Sequence, residues 1–363
     1  MIHIKIQFKD AVCPIYIGED ILEKLGEMLR IYEWGQDAFV LTDNTVHKLY
    51  GLKLLDGLKT VMHKVELATV APGEKSKSWS TAGKILTRML ESQFERQVMV
   101  VSLGGGVVGD LAGFVASIYK RGVQFVQVPT TLLAQVDASV GGKTGVNHPV
   151  GKNLIGTFYQ PKLIWIDLAL LKTLPRQELV CGLGEMIKYG VIYDAELFDL
   201  LENNVNSVLA LDTELLRRLV KRCCKIKAEI VALDEKEHGV RMILNFGHTI
   251  GHALEAAGSY GQLSHGEAVL LGMLAESKIA RDLNLLSKQA FDRIQSLVAK
   301  FDLEKKIKYL NKQTLWQAMR SDKKALQGSL RFVLPQDIGS VKIVSDVEEK
   351  LIGSGINYLL KQA

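Results

Sequence analysis

Three of the eight histidines are spaced for metal chemistry. His248 and His252 stand four apart, so a helix sets both on one face. His265 opens a second helical stretch in Ser264-His265-Gly266-Glu267. One histidine from each stretch plus a carboxylate would make three protein ligands with a fourth position open, the arrangement of a catalytic Zn2+. Glu185 is the best upstream carboxylate. It sits in a mostly apolar helical run, where a charge needs a partner. Lys188, one turn on, offers an alternative as a simple ion pair, and the histidines could equally be hydrogen-bonded core or surface residues. The run from His248 is not a zincin motif, because Thr249 stands where that motif needs glutamate. Cys13, Cys181, Cys223 and Cys224 form no Cys-x-x-Cys pair and read as reduced thiols of a cytoplasmic protein. A metal here must therefore be held by histidine and carboxylate.

A second chemistry is written in glycine. Gly104-x-Gly106-x-x-Gly109 follows an apolar run ending at Leu103 and opens an apolar helix. In that context bare backbone can approach a pyrophosphate, and a helix N-terminus offers amide donors with a positive dipole end. The acidic residue usual at the end of the next strand is absent, since Phe125 to Val128 runs into Pro129-Thr130-Thr131; Asp43 ends an earlier strand instead. The alternative reading is tight helix–sheet packing alone. Gly141 to Gly145 is no P-loop, because Asp137 occupies a required glycine position; it could still bind a phosphate or ribose by another geometry, although the segment alone reads rather as a flexible turn carrying a solvated lysine, Lys143.

Several basic residues sit in apolar company. Lys227 shares a helical stripe with Leu216, Val220, Cys223, Ile230 and Val231, so it either snorkels or points into an anionic pocket. Arg241 and Asn245 stand four apart just ahead of the histidine helix. Asp322-Lys323-Lys324 reads as a surface turn after a helix ending near Arg320. With Lys143, Lys152, Asn153 and Lys188 they suggest a substrate bearing more than one negative charge.

The elements that must position these groups follow from the rest of the pattern. Apolar β-rich runs at 38–41, 61–67, 98–103, 125–128 and 163–166 alternate with helical stretches such as 76–91, which predicts a parallel sheet covered on both faces. Residues 2–8 and 15–17 could form an edge hairpin. Beyond Pro175 apolar residues recur every three or four positions to about Met319, a helical signature; two short β-like runs, 330–334 and 341–344, and a final helix follow. The fold class is thus α/β: a Rossmann-like parallel-sheet domain, residues 1–175, followed by a mainly α-helical metal-binding domain, residues 176–363. A chain of 363 residues with 47% hydrophobic and 23% charged content is ordinary for a globular protein. The net charge of +5 is scattered, with no basic block beyond 221–227, so neither nucleic acid nor a membrane surface is an expected partner. No apolar stretch approaches the ~20 residues of a membrane span, and the N-terminus shows no signal core.

Taken in order, these motifs resemble the 3-dehydroquinate synthase family of the sugar phosphate cyclases. The resemblance runs from Thr42-Asp43-Asn44 to Asp322-Lys323-Lys324. Its most specific pieces are residues 104–113, 129–137 with 145–147, Gly151-Lys152-Asn153, Glu185 with Lys188, residues 245–248 and residues 264–267. It implies that Glu185, His248 and His265 bind Zn2+ or Co2+, leaving His252 either to support the ligands from behind or to relay a proton. It implies NAD contacts at Asp43, Gly73, Glu74, Lys77, Gly106, Gly109, Asp110, Thr130, Thr131, Lys143, Lys152 and Thr173. Substrate contacts are implied at Asp137, Lys143, Asn153, Lys188, Lys227, Arg241, Asn245, His252 and one of Lys323 and Lys324, with Arg121 serving the neighbouring subunit of a homodimer. The implied substrate is an anionic sugar phosphate, 3-deoxy-D-arabino-heptulosonate 7-phosphate. The implied reaction oxidises it transiently with NAD, eliminates phosphate, restores the hydride and closes a carbocycle by an internal aldol step.

Overall fold

The computed structural model of the chain describes residues 1–7, 12–237, 239–258, 263–325 and 330–362, with the backbone alone at 320–325 and 362. In chain order the first unit contains β1 (Ile2–Gln7), β2 (Val12–Gly18), α1 (Leu25–Tyr32), β3 (Asp37–Asp43), α2 (Leu52–Lys59), β4 (Lys64–Val70), α3 (Trp79–Glu91), β5 (Met99–Gly104), α4 (Gly106–Ile118), β6 (Gln124–Pro129), β7 (Lys143–His148), β8 (Gly151–Phe158) and β9 (Leu163–Asp167). Seven strands form one sheet in the order β1-β2-β9-β6-β5-β3-β4. All its pairings are parallel except the β1–β2 edge hairpin. Both faces are buried, because successive side chains of a strand point opposite ways. Phe39, Leu41 and Val100 pack beneath α3 and α4, whereas Val40, Met99 and Val101 pack against α1 and α2.

The first division falls between Leu174 and Pro175, beside the expected one at 175, but the stretch beyond it is not one continuous unit. α5 (Arg176–Ile192) and α6 (Ala195–Leu209) open the second unit, but α7 (Thr213–Leu233) returns to the first. The compact units are Met1–Leu174 with Thr213–Lys236, and Pro175–Asp212 with Glu237–Ala363. Side-chain chemistry fastens α7 there: Cys224 Sγ meets the Gln135 carbonyl at 3.3 Å, and Lys227 Nζ bonds the backbone oxygen of Asp137 at 2.7 Å.

The rest of the second unit is α8 (His248–Ala257), α9 (His265–Asp282), α10 (Lys288–Ala299), α11 (Lys312–Ala325), the hairpin β10 (Arg331–Asp337) and β11 (Ser340–Ser345), and α12 (Glu349–Gln362). α9 is its central helix, buried along nearly its whole length. Its capping box explains where it starts: Glu267 accepts the Ser264 amide at 2.8 Å, as the Ser-x-x-Glu spacing demands. No described helix is long and apolar enough to cross a membrane.

Two local expectations differ. The turn expected at 141–145 is confined to Gly141 and Gly142, both at positive φ, because residues 143–158 form the antiparallel ribbon β7–β8, in which Asn153 also takes a positive φ of 57°. Alternation was hidden there because Gly145 and Gly156 face each other at a close backbone crossing. Asp322-Lys323-Lys324 is part of α11 and not a turn, since no glycine or proline interrupts the chain between Lys312 and Gly328. The side chains of Lys323 and Lys324 lie outside the described residues.

Candidate active site

In the first unit the glycine motif lies at the carboxyl end of β5, where the order of strand addition reverses. From β3 the chain proceeds outward to β4, whereas β5 leads the other way to β6; ligands of open α/β sheets bind at such a switch point. Strand order accounts for the displaced acidic residue. β3 lies beside β5, so Asp43 ends the strand adjoining the glycines although it is sixty residues upstream. On the other side Gly104 pairs with Pro129, which brings Thr130 and Thr131 to the same edge. α4 starts at Gly106 with no side-chain cap, leaving its first-turn amides available to an anion. Thr130 Oγ1 is buried there without a hydrogen-bond partner.

Lys77 organises the neighbouring groups. It is 5% exposed and its ammonium meets both Asp110 and Asn153. Burial pushes the Asp110 carboxyl up, and Lys77 opposes that shift. Asn147 ties the same network together, donating to Glu74 at 2.7 Å and accepting the Asn153 amide at 2.9 Å. Thus Gly73, Glu74, Lys77, Asp110 and Asn153, scattered in sequence, form one patch. Also in this unit, Lys227 Nζ lies 2.8 Å from Asp137 Oδ1; the lysine points inward and does not snorkel. Other expected contacts are less gathered. Lys143 and Lys152 are exposed, and exposed Thr173 bonds the Tyr50 hydroxyl at 2.6 Å. Asp43 caps the following turn through the amides of Thr45 and Val46. Arg121 is exposed in a left-handed turn with φ 69°.

In the second unit α5, α8 and α9 supply Glu185, His248 and His265. One ligand atom from each lies within 4.8 Å of the others. Helices can bring ligands that close only where their backbones nearly touch, and glycine provides for it beside each ligand. A Cβ on Gly266 would stand 2.1 Å from the Cys181 carbonyl, and one on Gly184 would stand 2.7 Å from the Gly266 carbonyl. On the other side Gly247, at φ 80°, and Gly272 hold α8 against α9. Glu276, on α9, accepts the Gly247 amide at 2.7 Å and the Ile250 amide at 3.4 Å, capping the histidine helix from its neighbour.

The donor set fits a divalent cation. Glu185 is 1% exposed, and its Oε1 is buried with no hydrogen bond. His248 Nε2 lies 3.7 Å and His265 Nε2 3.9 Å from that oxygen. Their Nδ1 atoms face acceptors, the Phe246 carbonyl at 3.1 Å and the Glu255 carboxylate at 3.3 Å. The other carboxylate oxygen of Glu185 meets Lys188, so the ion pair and the ligand set coexist on one side chain. Burial, with Lys188 and the neighbouring rings, holds His248 well below the usual imidazole value, hence neutral and able to ligate. For His265 burial acts downward, but the carboxylates of Glu255 and Glu185 outweigh it and raise the value. His252 lies at the exposed edge, its ring centroid 5.5 Å from that of His248. Arg241 is 1% exposed, and Asn245 donates to Glu237 at 3.0 Å.

Comparison with known proteins decides between the chemistries this geometry allows. The family profile described as 3-dehydroquinate synthase N-terminal matches residues 67–181, and the one described as 3-dehydroquinate synthase C-terminal matches residues 182–325. The chain belongs to the 3-dehydroquinate synthase family. It is therefore an enzyme. A 3-dehydroquinate synthase of Desulforamulus reducens is 46% identical over 347 residues, covering 95% of this chain and 97% of that one. Among solved structures, a 2-deoxy-scyllo-inosose synthase complexed with carbaglucose-6-phosphate, NAD+ and Co2+ matches with a TM-score of 0.90 and 25% identity, covering 98% of this chain and 99% of that one. A 2-epi-5-epi-valiolone synthase from Streptomyces hygroscopicus subsp. jinggangensis, with NAD+ and Zn2+ bound, matches with a TM-score of 0.87 and 28% identity over the same shares. The sugar phosphate cyclase fold inferred from the motifs is thus the observed one.

Sequence reasoning passed over two carboxylates, Glu255 and Glu276. For Glu255 a signal existed: it stands seven residues after His248 and three after His252, on the same helix face. Glu276 gave none, because it acts across a helix–helix contact.

Proposed function

We propose that the chain converts 3-deoxy-D-arabino-heptulosonate 7-phosphate to 3-dehydroquinate and inorganic phosphate. The observation that carries this reading is the convergence of the unpartnered Glu185 Oε1 with Nε2 of His248 and His265. Those three residues would hold Zn2+ or Co2+, which supplies Lewis acidity toward adjacent hydroxyls of the sugar. The edge formed by Asp43, the 104–110 glycine turn, Thr130 and Thr131, with Gly73, Glu74, Lys77, Lys143, Lys152 and Thr173, would hold NAD+, which supplies a reversible hydride acceptor and leaves no net redox change.

The remaining roles belong to the chain itself. Lys227, Arg241 and Asn245 bind the substrate carboxylate; the buried guanidinium of Arg241 is fixed in advance, so little reorganisation accompanies binding. Asp137 orients the Lys227 ammonium through their ion pair. Lys143, Asn153, Lys188 and one lysine of the 323/324 pair bind the hydroxyls and phosphate and steady the charge that grows as phosphate departs. His252, at the solvent edge of the histidine cluster, takes the hydroxyl proton. The chain works as a homodimer in the cytoplasm, with exposed Arg121 reaching the phosphate bound by the other copy; the absence of any disulfide among its four cysteines supports that compartment.

The test is an incubation with the heptulosonate phosphate and substoichiometric NAD+, following phosphate and dehydroquinate. Phosphate should exceed NAD+ many-fold and cease on chelation. A burst equal to the NAD+ added, with NADH left over, would identify a polyol dehydrogenase instead.

A further inference from the structure

One ionisable group beside the histidine cluster has no part in the reaction above. Glu255 lies two turns beyond His248 on the same face of α8, with 11% of its side chain exposed. Its Oε2 is 3.3 Å from Nδ1 of His265, while Nε2 of that ring is 3.9 Å from Glu185 Oε1. His248 repeats the pattern with the Phe246 carbonyl at its Nδ1. A carbonyl can only accept, so His248 carries its proton on Nδ1 and presents a lone pair at Nε2. An ionised carboxylate imposes the same tautomer on His265, and the side chain that imposes it can be replaced.

We propose, on the metal-dependent reading above, that Glu255 is a positioning residue of the metal centre. It accepts the Nδ1–H of His265, fixes the ring plane and keeps Nε2 available to the cation. Ligating histidines are commonly backed in this way, and loss of the backing group costs about 10- to 100-fold in metal affinity. The competing geometry is direct ligation, since Glu255, His252 and His265 also offer atoms within 4.8 Å of one another. Burial favours the backing role. Direct ligation by that set would leave the buried Glu185 Oε1 unsatisfied and recruit exposed His252 in its place.

Glu255→Gln tests it, because the amide keeps the size, loses the charge and can turn its NH2 toward Nδ1. Zinc affinity of the apoprotein, measured at one pH by competition with a chromophoric chelator, should fall about 10- to 100-fold with the apoprotein melting unchanged. Nitrogen-15 NMR of the histidines should show one ring passing from the Nδ1–H to the Nε2–H tautomer. Glu255→Asp, which keeps the charge, should recover part of the affinity. At saturating cobalt the visible spectrum of Glu255→Gln should match the parent's; a changed spectrum makes Glu255 a ligand and overturns the proposal. Affinity within twofold of the parent, while His265→Ala abolishes binding, overturns the positioning role and leaves the metal reading intact. Zinc binding that survives His265→Ala overturns both.

Discussion

Gly272→Ala is the sharpest probe of how the proposed metal centre is built, because it adds one methyl group and alters none of the proposed ligands. The new Cβ would lie 2.0 Å from the Gly247 carbonyl oxygen and 2.8 Å from the Gly251 amide nitrogen. Ordinary contact begins near 3.4 Å, so α8 must retreat from α9 by about 1.4 Å. The atoms it strikes are backbone and cannot rotate away. Overpacking costs ~1–3 kcal/mol, and a rigid obstacle puts this site at the upper end, offset by about 1 kcal/mol of helix propensity. A net loss of about 2 kcal/mol should lower the melting temperature by roughly 4–8 °C in a unit of this size. The same retreat carries His248 away from His265, far beyond the ~0.2 Å tolerance of metal–ligand distances, so zinc affinity should drop at least about tenfold. Calorimetry of the apoprotein and a chelator competition read the two effects separately. Gly83→Ala on α3, where a Cβ meets nothing within 4 Å, is the control and should be neutral or mildly stabilising. If Gly272→Ala melts with the parent and binds zinc as tightly, close helix approach is not what assembles the site.

Burial pushes the Glu276 carboxyl up to about 8 against the pull of the Gly247, Ile250 and Thr249 amides. The folded-state value lies above the unfolded one, so the associated stability is complete below about pH 4.5 and is lost as pH rises through 8. Glu276→Gln should remove that slope; the parent-minus-variant unfolding free energy, from urea titrations at pH 5, 6.5 and 8.5, should fall across the window by no more than about 5 kcal/mol, and a flat difference would contradict it. His265→Ala should abolish phosphate release while NAD+ binding, assigned to the other unit, stays within a few-fold of the parent; unaltered turnover would remove His265 from the metal set.

The parallel sheet was legible because buried strands read as apolar runs, and the start of α9 at His265 because the signal for it is local. What escaped depended on contacts between distant segments. The turn expected at 141–145 stops at Gly142 because Lys143 opens the 143–158 ribbon, whose Gly145–Gly156 backbone approach no single segment reveals. Helix α7 carries an ordinary amphipathic stripe, and nothing in that stripe states that it will pack with the sheet unit. Asp43 was picked out at the end of an earlier strand, but sequence order alone gave no reason for its place: it ends β3, two strands before the glycine motif, and only the β5–β3 pairing makes it adjacent. The proposed ligand set, by contrast, came from the family motifs, because spacing alone left His248, His252 and an ion-paired Glu185 as open alternatives.

The adjacency of glycine to each proposed ligand has a physical origin that ties the fold to the proposed chemistry. Glu185 follows Gly184, His248 follows Gly247 and His265 precedes Gly266, and each of these glycines lies where one helix meets another. A ligand one residue from such a contact inherits its rigidity, since the backbone beside it cannot shift without collision. The arrangement also excludes other helix geometries, because a side chain at Gly266 would collide with Cys181 before Glu185 and His265 came within reach of one ion. Glu276 completes the logic from α9 by capping the N-terminus of α8, so the helix bearing His265 also fixes where the helix bearing His248 begins. Three candidate donors on three helices are thereby held by contacts that involve none of the atoms facing one another, which leaves those atoms available to a cation.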